Sequence, residues 1–184
     1  MLSDIVFPDD VTSKISEQCS SMRFASLPSQ FMSIRTLRNW RYLIAVSHTI
    51  IWLYCTLDYG LDYIFYYSNW GSGLTLLALW LLAFSHDHDS CFHHELALDV
   101  FEVALAMEYM INILYWKLLF NSSLINIWDP TTFRGPFLNH FLPWVLLNIE
   151  LLISDFHFKY PYNLRYFTVL IPGYILMNLY GTYH

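Results

Sequence analysis

Residues 64–84 read Ile-Phe-Tyr-Tyr-Ser-Asn-Trp-Gly-Ser-Gly-Leu-Thr-Leu-Leu-Ala-Leu-Trp-Leu-Leu-Ala-Phe, without one charged side chain. A helix needs roughly 17 to 25 mostly apolar residues to cross the hydrocarbon core of a bilayer, so this stretch predicts a transmembrane helix. Working outward, four further apolar runs lie at about 42–57, 96–120, 137–154 and 166–182. With 56% of its 184 residues apolar and 13% charged, the chain has too little polar surface to coat a water-soluble globule of this size. Trp and Tyr gather near the ends of the runs, as rings at a headgroup boundary do. The expected fold is an all-α integral membrane protein, a bundle of about five transmembrane helices. Residues 1–34 read as a polar N-terminal tail and 35–184 as the transmembrane helical bundle.

Charge narrows the function classes. The net charge of −6 excludes an electrostatic nucleic-acid binder, which would need clustered Lys and Arg. Cys19, Cys55 and Cys91 are odd in number and widely spaced, which suits neither a disulfide framework nor a thiolate zinc site. The first forty residues hold no cleavable secretory signal, and Asp4, Asp9, Asp10 and Glu17 interrupt any amphipathic transit peptide. An endomembrane or plasma membrane is therefore expected rather than the mitochondrial inner membrane. Lys14, Arg23, Arg35, Arg38 and Arg41 precede the first run and Lys159 and Arg165 separate the last two, whereas only Lys117, at the end of the third run, and Arg134 fall on the side between the third and fourth. The excess of basic residues on cytosolic segments puts the N-terminus in the cytosol.

Within this topology Ser68 and His140 sit at similar depth, each about one turn inside the outer end of its helix at ~1.5 Å rise per residue. A hydroxyl needs a neighbouring base to become a nucleophile, and imidazole suits that role near neutrality. The alternative is structural: Ser beside Gly lets helices pack closely, and His140 serves as an interfacial polar residue. A second cluster, His86-Asp87-His88-Asp89-Ser90-Cys91-Phe92-His93-His94-Glu95, lies in the loop between the second and third runs. His86, His88, His93 and His94 are its candidate metal ligands, since zinc and iron favour such donors, against the plain reading of a solvated polar loop. Glu95, Asp99 and Glu102 share a helical face by their i, i+4, i+7 spacing. Glu108 and Glu150 lie deeper, where carboxylates normally face protein. No cofactor motif is present.

Tyr-Tyr-Ser-Asn-Trp-Gly at 66–71, Asn39-Trp40-Arg41, Leu138-Asn139-His140 with Ile149-Glu150, Tyr160-Pro161 and Gly173-Tyr174-Ile175-Leu176 together resemble the androgen-induced and rolling-stone family of polytopic membrane proteins. The resemblance implies a membrane hydrolase of fatty acid esters of hydroxy fatty acids, with the nucleophilic position falling on Ser68 and the histidine on His140. It also implies six spans where this chain offers five. Two readings follow: a membrane-embedded lipid-ester hydrolase using a Ser68/His140 pair, with the lipid bilayer and a lipid ester as partners, or a non-catalytic membrane subunit or scaffold packing aromatic-rich helices against other membrane subunits.

Overall fold

In a computed structural model, the described residues are 32–60, 67–87, 91–116, 135, 137–154, 168, 172, 173 and 176. Helix α1, Ile34–Tyr59, begins where the Ser33 hydroxyl accepts a hydrogen bond from the Thr36 amide at 3.2 Å, satisfying one of the donors that a helix start leaves unpaired. It ends at Gly60, whose φ of 67° turns the chain out of the helix while its amide bonds the Thr56 carbonyl. Helix α2 is Tyr67–Phe84 and α3 is Cys91–Leu114. The last described segment opens with a π-helical turn, Phe137–Phe141, and continues as α4, Leu142–Ile153. Pro143 sits in the first turn of α4, where its missing N–H costs no hydrogen bond.

Among the described residues the secondary structure is helical throughout, as the sequence leads one to expect, and the first four apolar runs fall on these elements. The fifth, at 166–182, lies outside the described residues apart from 168, 172, 173 and 176, as does the tail up to residue 31. Helix α2 is central, packing against α1, α3, α4 and the π turn. Its contact with α3 is lined by small side chains, so the helices approach closely: Ala78 and Leu82 meet Ala97, Phe101, Ala104 and Leu105, with Leu147 of α4 closing the core. A second cluster joins Ile44 and Ala45 of α1 to Leu79.

No helix among the described residues is both long and apolar enough to cross a membrane, which departs from the expected five spans. The reason lies in the polar content of each element. Helix α1 carries Arg35, Arg38, Arg41 and Asp58, α3 carries four carboxylates, α2 opens on Tyr-Ser-Asn-Trp-Gly-Ser-Gly, and α4 is only 12 residues long. Part of this polar content is turned inward, while Arg35, Arg38 and Asp58 stay exposed. Arg41, His48, Asn69, Ser72, Thr75, Glu108, Asn139 and Glu150 are all buried, whereas Leu43, Val46, Ile50, Leu53 and Leu57 form an exposed apolar stripe along α1. Their spacing of three and four residues puts them on one helical face. The interior is therefore mixed, with buried polar groups set among the apolar clusters, while the stripe on α1 is apolar and exposed.

Candidate functional site

Three polar layers cross the helices. At the end of the bundle that includes the α2–α3 loop, Arg41 is 1% exposed and every nitrogen of its guanidinium is engaged. Nε donates to Glu150 Oε1 at 2.6 Å and Nη2 to Ser154 Oγ at 2.8 Å, while Nη1 lies 2.7 Å from His86 Nε2. The Ser154 hydroxyl in turn donates to Glu150 Oε1 at 2.8 Å. Because a guanidinium has no acceptor, His86 must accept through Nε2 and so be neutral there. Burial, reinforced by the Arg41 charge and opposed by Asp87, lowers its pKa to about 4. Beside this network Arg38 pairs with Asp87 at 3.1 Å, and the Tyr42 hydroxyl donates to the same carboxylate.

In the middle layer His48 Nε2 lies 3.2 Å from the Ser72 carbonyl oxygen, and Thr75 Oγ1 donates to Glu108 Oε1 at 3.4 Å. Gly71 permits a close approach here: a Cβ at that position would run into Ile111 Cδ1 and come within 2.7 Å of Glu108 Oε1, so both side-chain ends would have to shift. Glu108 therefore lies against the α2 backbone itself, with Oε2 buried and unpartnered.

The third layer holds Ser68 and His140. Ser68, Gly71, Ser72 and Thr75 share one face of α2, and the last three of these are buried. Helices α2 and α3 are antiparallel, and the register that sets Thr75 opposite Glu108 and Gly71 opposite Ile111 carries Ser68 to the level of Tyr115. Tyr115 stacks on His140, with ring centroids 3.7 Å apart and planes 12° from parallel. The register thus sets Ser68 level with the residue whose ring stacks on His140. No hydrogen bond joins Ser68 to His140. Asn69 and Asn139, their immediate chain neighbours, are both buried. Next to this layer a cavity of about 700 Å³ opens between α3 and the π turn, lined by Tyr109, Asn112, Ile113, Trp116, Phe137, Phe141 and Trp144. The π turn that bears His140 supplies two of those walls, Phe137 and Phe141. Such widened, under-wound turns inside helices recur at functional sites.

The histidine-rich loop is only partly within the described residues, because His88 lies outside them. Among the described residues no group of three or more His, Cys, Asp or Glu is arranged to hold a metal ion. His86 is turned to Arg41, and a cation beside its ring nitrogen opposes a second cation there. His93 packs edge-on to Phe92, and His94 is buried. Of the carboxylates near the C-terminal end of α1, Asp58 is exposed and Asp62 lies outside the described residues.

Sequence reasoning placed Glu108 and Glu150 inside the protein but did not find their partners. Arg41 was counted only for orientation, although a basic residue abutting an apolar run is a signal that a buried acid must answer it. His48 and Tyr115 carried no signal in the sequence. Compared with known families, curated proteins and solved structures, the chain matches none of them.

Proposed function

We propose that this chain is a membrane-embedded lipid-ester hydrolase in which Ser68 is the nucleophile and His140 its base. The observation that carries this reading is the α2–α3 register, which brings Ser68 level with the ring stacked on His140. Two further features support it. The aromatic-walled cavity of about 700 Å³ beside the His140 turn is of a size to take an acyl chain. The exposed apolar stripe of α1 suits contact with lipid, from which such a substrate would enter sideways. The short motifs that resemble those of the androgen-induced and rolling-stone family point to the same chemistry, and the start of α1 then faces the cytosol.

In this mechanism Ser68 Oγ attacks the ester carbonyl carbon as His140 takes the hydroxyl proton. The carbon–oxygen bond to the alcohol then breaks, and His140 returns the proton to the leaving alkoxide. Water, deprotonated by His140, attacks the acyl-serine carbonyl carbon; the bond to Ser68 Oγ then breaks, His140 returns the proton to Oγ, and the fatty acid is released. Side-chain amides of Asn69 and Asn139 are the donors closest in sequence for the oxyanion of each tetrahedral intermediate. The Ser68–His140 hydrogen bond forms on substrate binding, as catalytic hydrogen bonds often tighten only in the Michaelis complex.

The test is labelling of the detergent-purified chain with a fluorophosphonate probe. Native protein should label, and both Ser68→Ala and His140→Ala should not. A folded native chain that stays unlabelled would sink the reading. It would favour instead a non-catalytic membrane subunit whose α1 stripe packs against a partner helix, a role for which the same exposed residues are suited.

A further inference from the structure

A histidine that serves as base to a hydroxyl is ordinarily held through its other nitrogen by a carboxylate or carbonyl, which fixes the plane of the ring and its tautomer. His140 lacks that support. Its Nδ1 is buried and has no protein hydrogen bond. Glu108, the buried carboxylate of α3, is turned to Thr75 and lies about two turns before Tyr115 along the helix. The nearly parallel face of Tyr115, 3.7 Å away between centroids, covers one side of the imidazole. Tyr115 stands where α3 passes from α-helical to π-helical winding, and His140 stands on the second π turn, so two locally under-wound segments meet ring to ring.

We propose that Tyr115 is the positioning residue for His140: its ring face sets the plane of the imidazole so that the nitrogen edge can meet Ser68, doing by stacking what a carboxylate does by hydrogen bonding. The proposal rests on the hydrolase reading above. It assigns the flat face, not the phenol hydroxyl, as the part that matters. Stacking restrains tilt but leaves rotation within the plane to the π turn, and this division of labour makes an orienting acid unnecessary.

The experiment measures kcat and KM of the full chain in detergent on 4-methylumbelliferyl oleate, for Tyr115→Phe, Tyr115→Met and Tyr115→Leu beside Ser68→Ala. Tyr115→Phe keeps the face and should retain kcat within about threefold. The Met and Leu variants fill the space without a flat ring and should lose about 10²-fold in kcat, the scale of a misplaced catalytic group, with KM unchanged. A merely structural role would lower stability in all three without this split. Aliphatic variants that keep kcat, or a Phe variant as slow as Met, overturn the proposal. Should neither aliphatic variant fold, Tyr115→His, which keeps a flat ring, must retain kcat, and its loss overturns the proposal equally. Full turnover in Ser68→Ala removes the hydrolase reading itself, whereas loss in Ser68→Ala with no effect of Tyr115→Met removes only the role of Tyr115.

Discussion

Arg41 and Glu150, 109 positions apart in the chain, meet in an ion pair of 2.6 Å with side chains 1% and 0% exposed. The pair ties the first half of α1 to the end of α4, and through His86 and Ser154 it also holds the α2–α3 loop and the residue that caps α4. Two of the short motifs noted in the sequence, Asn39-Trp40-Arg41 and Ile149-Glu150, are thereby joined in space.

Removing either partner leaves the other charged and buried, which typically costs about 3–5 kcal/mol. Arg41→Leu and Glu150→Leu should each lower Tm by roughly 10 °C. The double variant should recover much of that loss, because an apolar pair of similar volume needs no compensation for desolvation. Thermal unfolding followed by helical ellipticity checks this. Single variants as stable as the native chain would mean that the pair contributes nothing.

His86 gives the network a pH dependence of defined sign. Its folded pKa of about 4 lies below the ordinary value of 6.5, chiefly through burial and then through Arg41. Between these values the unfolded chain binds a proton that the folded chain refuses. Stability contributed by neutral His86 is therefore complete above about pH 6.5 and falls away as pH drops towards 4. Tm should fall by several degrees between pH 7 and pH 4.5, and His86→Gln, which keeps an acceptor for Arg41 but cannot titrate there, should flatten that part of the profile. An unchanged slope in the variant would assign the dependence to other groups.

The helical class and the positions of the first four elements were legible because apolar runs bounded by polar turns carry a strong local signal. The interior was legible only in part. That Glu108 and Glu150 face protein follows from the cost of burying a carboxylate, but the choice of Arg41 and Thr75 as partners depends on helix register, which no single run encodes. The π turn at Phe137–Phe141 was invisible for the same reason: Pro143 announces a helix start, yet nothing in Phe-Leu-Asn-His-Phe announces under-winding before it. Tyr115 reads in the sequence as one aromatic among many, and only its stack on His140 sets it apart.

Two glycines on α2 make a matched test of the packing. At Gly71 an added methyl would collide with Ile111 and Glu108, and at Gly73 the nearest atom to it would be Trp52 Nε1 at 4.0 Å. Gly71→Ala should therefore destabilise by about 1–3 kcal/mol as α2 and α3 are forced apart. Gly73→Ala should be neutral or stabilise by up to about 1 kcal/mol, since Ala is the better helix former. Because the displaced group at residue 71 is one turn from Ser68, fluorophosphonate labelling should also slow in Gly71→Ala and remain native in Gly73→Ala. Equal effects at both positions would contradict the close α2–α3 approach on which the site depends.

The outer stripe of α1 decides between lipid and water as the solvent of this fold. Ile50 is 63% exposed and Leu57 84%, and both project away from every described helix. In a lipid-facing helix a cysteine at residue 50 is shielded from water-soluble reagents, and its thiol stays protonated and unreactive in an apolar medium. In a background with Cys19, Cys55 and Cys91 replaced by Ala, Ile50→Cys should resist a membrane-impermeant maleimide in permeabilised membranes and react after denaturation. Ser33→Cys, exposed at the capped start of the same helix, should react in both conditions. Prompt labelling of residue 50 in intact membranes would place the stripe in water and remove lateral entry of a lipid substrate from the mechanism, because no acyl chain could then reach the Ser68–His140 layer without first leaving the bilayer.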